Sequence, residues 1–157
     1  METRRLPTWL FAAAGLAGFL LVLGGEKLYP LLQPATVLNL EPDPACDLRQ
    51  GSCSSSLPNG AQVSFGIEPR DLPVMKPLTL SVTVQGQQTH KVEASFNGVD
   101  MNMGINHADL QATGEGQFSG TITIPVCIRN GMEWEAKVLV HTPEGIIAVP
   151  YRFWTGK

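Results

Sequence analysis

From residue 60 onward, apolar side chains recur at every second position, with turn-forming residues between the runs. Val63, Phe65 and Ile67 begin the pattern; Leu78, Leu80, Val82 and Val84 follow, then Val92, Ala94 and Phe96. After a polar interval it resumes at Phe118, Ile122 and Ile124, at Trp134, Ala136, Val138 and Val140, and at Ile147, Val149, Tyr151 and Phe153. Side chains of a strand point alternately to opposite faces, so this spacing gives each short strand one apolar face to bury. No stretch of comparable length repeats with a helical period. The sequence predicts an all-β domain over residues 60–157, an immunoglobulin-like β-sandwich of about seven strands.

One hairpin is specific enough to place. Arg129, Asn130 and Gly131 suit a three-residue loop, a type I turn closed by a left-handed glycine. That register opposes Ile128 to Met132, Val126 to Trp134, Ile124 to Ala136 and Ile122 to Val138, so apolar meets apolar. It also sets Cys127 on the face opposite Met132.

Residues 6–25 read LPTWLFAAAGLAGFLLVLGG without a charge, between Arg4-Arg5 and Glu26-Lys27. About 20 helical residues span the ~30 Å hydrocarbon core of a bilayer. The paired arginines favour a cytoplasmic N-terminus, so the rest of the chain is expected on the outer side. The run exceeds the apolar region of a cleavable signal, about 7 to 15 residues, and no A-x-A site follows. The expected layout is a cytoplasmic tail (1–5), one transmembrane helix (6–25), a connector (26–59) and the sandwich domain (60–157). Pro30, Pro34, Pro42, Pro44 and Pro58 make the connector an extended spacer, with only residues 36–40 suited to a short strand.

The chain carries 11 Lys and Arg against 14 Asp and Glu. The charges of the exported part are interspersed, without a basic block or aromatic ladder, so no nucleic-acid partner is expected. No G-x-S-x-G, H-E-x-x-H, phosphate loop or dinucleotide fingerprint occurs, and no small-molecule substrate or enzyme activity is expected. His90 and His141 lie in strand-like segments without an acid and nucleophile beside them in sequence, and Asp100 and Asp109 flank a pair of methionines.

Cys46 and Cys53 enclose a short loop with no core of its own. In an oxidising compartment they are expected to form a local disulfide; a thiol pair for metal or redox exchange is the alternative. Cys127 then stands without a partner, as a small buried hydrophobe, as a soft metal ligand, or paired to Cys46 or Cys53 by a folded-back connector.

The least strand-like segment, between Phe96 and Phe118, holds Met101, Met103 and His107. In extended backbone Met101 and Met103 share a face, and Gly104 permits a turn that returns His107 toward them. Thioether, thiolate and imidazole together select Cu(I) over harder cations. Met132 or Cys127 would complete the site, with the Trp134 π face as a cover. Methionine also fills irregular core gaps, so packing is the competing explanation of the same residues.

The motifs VDMNMG, GEGQFSG, IPVC, NGMEW and the closing YRFW resemble the small membrane-anchored β-sandwich proteins of the bacterial FixH/YtkA-like group, some of which accompany copper-handling and terminal-oxidase assembly systems. The resemblance covers about residues 60–153. It implies a bacterial inner-membrane protein with a periplasmic immunoglobulin-like domain and a copper-related role in maturing a membrane-embedded complex. Met101, Met103, Cys127 and Met132 fall on the motif-bearing positions, and His107 is added on chemical grounds. The alternative function is a metal-free interaction module that assembles such a complex.

Overall fold

Alternation becomes burial in the folded chain. The computed structural model describes residues 36–104, 106–126 and 131–156. They form β1 (Thr36–Asn39), β2 (Cys53–Ser56), β3 (Gln62–Glu68), β4 (Pro77–Gln85), β5 (Lys91–Gly98), β6 (Asn106–Gly114), β7 (Gln117–Thr123), β8 (Gly131–Thr142) and β9 (Gly145–Gly156). In β8, Met132, Trp134, Ala136, Val138, Val140 and Thr142 are buried, and every residue between them is more exposed. The expected tail, membrane run, first part of the connector and Cys127 lie outside the described residues.

The described residues are all-β, with their strands in one curled sheet ordered β1-β9-β8-β5-β6-β7-β4-β3-β2. Every pair is antiparallel except β1 with β9. The sheet turns over at β6. Its first half pairs with β5, through Leu110 opposite Val92, while Gln111 and Ala112 pair with β7. The two halves then share one apolar core. Phe65 of β3 packs on Tyr151 of β9 with ring centroids 5.1 Å apart, and Tyr151 Oη donates to the Val63 carbonyl at 2.8 Å.

Three expectations are corrected. Residues 60–157 hold β3 to β9, the seven strands expected there, but the interval read as least strand-like is one of them, β6. Only Ala108 and Leu110 of β6 are buried, because its second half lies on an exposed stretch of the sheet. The 122–138 hairpin does not form. Ile122 pairs with Leu78, whereas Val138 lies between Ala94 and Val149, so both edges of β8 are taken by β5 and β9. The tight hairpin joins β8 to β9 instead, with Thr142 opposite Gly145.

The third correction concerns the connector. Residues 36–59 contribute β1, the short strand expected there, on the β9 edge, and also β2, on the β3 edge, so this part of the connector belongs to the sheet and is not an extended spacer. Leu48 and Leu57 are 1% and 4% exposed, so both belong to the core. The Cys46–Cys53 disulfide is formed, with Cα atoms 5.6 Å apart. Arg49 Nη2 donates to the Trp154 carbonyl at 2.8 Å, fixing the disulfide loop to β9.

Candidate functional site

The methionine loop begins where β5 ends. Val99 N donates to the Glu133 carbonyl at 3.0 Å, which ties the start of the loop to β8. Asn102 Oδ1 accepts from Gly104 N at 2.9 Å, and Asn106 Nδ2 donates to the Met103 carbonyl at 3.2 Å. Gly104 has φ +77°, a left-handed conformation that glycine adopts without strain. Met101 and Met103 are half-buried against the core, and Met132 is buried.

Gly98 shows how β8 meets this loop. It lies opposite Trp134, and a Cβ built on it would collide with both the Met101 carbonyl oxygen and the Met132 methyl carbon. The absent side chain therefore lets the Met132 thioether reach the backbone of the methionine loop. Trp134 is fully buried on the same face as Met132, and its Nε1 donates to Thr155 Oγ1 at 3.0 Å. Met101, through its carbonyl, and Met132, through its methyl group, thus both meet Gly98, and Met103 packs partly buried against the core.

His107 does not share the Met132 face. It stands opposite Ser95, which stands opposite Lys137, and directly paired residues share a face. Lys137 and Met132 differ by an odd number of positions on β8, so His107 projects from the face opposite Met132.

On that outer face a second cluster forms that the sequence left scattered. Glu93 lies at its centre. His141 Nε2 is 2.6 Å from Glu93 Oε2, and His107 Nε2 is 3.6 Å from Glu93 Oε1 and 3.7 Å from Asp109 Oδ1. Lys91 Nζ bonds Glu93 Oε1 and lies 3.1 Å from Asp109 Oδ1. The His90 ring meets His141 edge-on, centroids 6.1 Å apart. All 3 histidines of the chain therefore lie in one cluster.

Burial works against the charge on Glu93, but hydrogen bonds from Lys91 and His141 overcome it and hold the carboxyl below its ordinary value. Lys91 likewise lowers Asp109, and hydrogen bonds to Glu93 and then Asp109 raise the Lys91 ammonium. Glu93 was missed although the alternation Val92, Ala94, Phe96 already turns Lys91 and Glu93 outward. What the sequence lacked was the strand order that sets β6 and β8 on either side of β5.

Comparison of the chain with protein-family models, with curated proteins and with solved structures finds no match in any of the three.

Proposed function

We propose that this chain is a single-pass bacterial inner-membrane protein whose periplasmic, immunoglobulin-like domain binds Cu(I) through thioethers and assists maturation of a membrane-embedded respiratory or copper-handling complex. The observation that carries the reading is the packing of Met132 and the Met101 carbonyl on Gly98. It supports the reading because the Met132 methyl group, from β8, lies beside the backbone of the loop that carries Met101 and Met103. Three thioether sulfurs form a soft donor set that resists capture by disulfide formation, which suits an oxidising compartment. Cys127, four positions before Gly131 in sequence, is the further soft donor of the proposal. The FixH/YtkA-like resemblance adds the oxidase or copper context, and the apolar run at 6–25 adds the tether. Holding the domain near the bilayer raises its effective concentration toward membrane partners.

A metal-free assembly module is the second reading. It is favoured by Met132 being only 5% exposed, as a gap-filling core residue would be. Anaerobic Cu(I) titration of the full chain in detergent, against a competing chelator, separates the two. Tight 1:1 uptake that is lost in the Met101→Leu, Met103→Leu double variant supports the copper reading; equal uptake by the variant rejects it.

A further inference from the structure

We propose that the outer face of β5 and β6 carries a second cation site, formed by Glu93, His107 and Asp109 and suited to a divalent first-row ion such as Zn²⁺. Each of the three residues offers one donor atom, and these atoms lie within 4.8 Å of one another. One imidazole nitrogen and two carboxylate oxygens form a borderline-to-hard set, unlike the thioether set proposed for Cu(I). In a tetrahedral zinc site with bonds of about 2.0–2.2 Å, donor atoms stand about 3.4 Å apart. The His107–Glu93 and His107–Asp109 separations of 3.6 and 3.7 Å need only a small inward movement.

Two further features set this cluster apart from a chance group of surface charges. The first is His141, only 15% exposed, which holds the other oxygen of Glu93 and so fixes the orientation of the carboxylate. A ligand oriented by a partner behind it is the usual construction of metal sites. The second is that a cation already sits there. The Lys91 ammonium bridges Glu93 and Asp109 through the same two oxygens that His107 faces. Its side chain is 48% exposed on a flexible stem, so it can swing to solvent when a divalent ion takes its place. Lys91 is then an internal competitor that sets the affinity.

The test is calorimetric titration of the full chain in detergent with Zn²⁺ alone, alongside Co²⁺ followed by its visible absorption. The expected result is one Zn²⁺ per chain. His107→Ala and Asp109→Asn each weaken it by at least about tenfold, and His141→Phe by ~10–100-fold through the loss of orientation. Lys91→Met strengthens it several-fold, a gain that a merely structural ion pair would not give. The Met101→Leu, Met103→Leu double variant leaves Zn²⁺ affinity unchanged, so failure here and failure of the copper reading are separable. No uptake by the parent chain, unchanged affinity in His107→Ala, or no gain in Lys91→Met would each overturn the proposal. Should a variant not fold, Co²⁺-induced broadening of the His107 imidazole resonances in the parent decides instead, and its absence counts against the site.

Discussion

Tyr151 and Val63 stand 88 residues apart in the chain and are joined by a 2.8 Å hydrogen bond from the phenol to the carbonyl. The bond ties β9 to β3 across the core, where the two halves of the curled sheet face each other. Tyr151→Phe keeps the ring against Phe65 but removes this tie, at an expected cost of about 1 kcal/mol. Burial pushes the Tyr151 phenol up to about 12, above its ordinary 10.0. The folded state thus holds a proton that the unfolded chain releases, and stability falls as pH rises between those values. Urea unfolding at about pH 7 and pH 11 should show a smaller alkaline loss for Tyr151→Phe than for the parent chain.

The outer-face cluster gives an acid-side prediction of opposite sign. Glu93 and Asp109 titrate below their ordinary values of 4.5 and 3.8, so their stabilisation is complete above those values and is lost as pH falls through the folded ones. Lys91→Met removes the hydrogen bonds that lower both carboxyls. Its unfolding midpoint in urea should fall less between about pH 5 and pH 3 than that of the parent chain.

Gly98→Ala tests the contact between β8 and the methionine loop. The new methyl group meets a backbone oxygen of Met101 as well as the Met132 methyl, so side-chain adjustment alone does not relieve it. The expected loss is about 1–3 kcal/mol, read by thermal unfolding, together with weaker Cu(I) uptake. A loss of stability without any change in copper affinity would assign the contact to packing alone.

Truncation distinguishes a spacer from a part of the fold. A chain starting at residue 36 keeps all nine strands and is expected to unfold cooperatively. One starting at residue 60 loses β1, β2, Leu48 and Leu57. The two buried leucines alone represent about 1.5–3 kcal/mol each, so the shorter chain should melt far lower or fail to fold. Circular dichroism on the two proteins decides.

The all-β class was legible because period-two burial is a local property, and Leu78 to Val84 and Trp134 to Val140 display it without help from the rest of the chain. Neighbour relations were not legible. Arg129-Asn130-Gly131 has the chemistry of a tight hairpin loop, yet β8 already has β5 on one edge and β9 on the other, and a strand has only two edges. β6 stayed hidden because only Ala108 and Leu110 reach the core, too few to establish a period. The connector misled for a related reason: its prolines suggest a spacer, while Leu48 and Leu57 are held in place by distant strands. At the site, residue chemistry alone is what proposes Met101, Met103 and Met132 together. The separation of His107 from them required the register with Ser95 and Lys137, and the meeting of Glu93 with His141 required the order of β5 and β8.

Copper K-edge X-ray absorption on the full chain, loaded anaerobically with one equivalent of Cu(I), reads the donor atoms themselves. Binding by Met101, Met103 and Met132 requires a first shell dominated by sulfur, unchanged in His107→Ala and depleted in the Met101→Leu, Met103→Leu variant. A shell of nitrogen and oxygen alone, or a sulfur shell that the methionine substitutions leave intact, would contradict it.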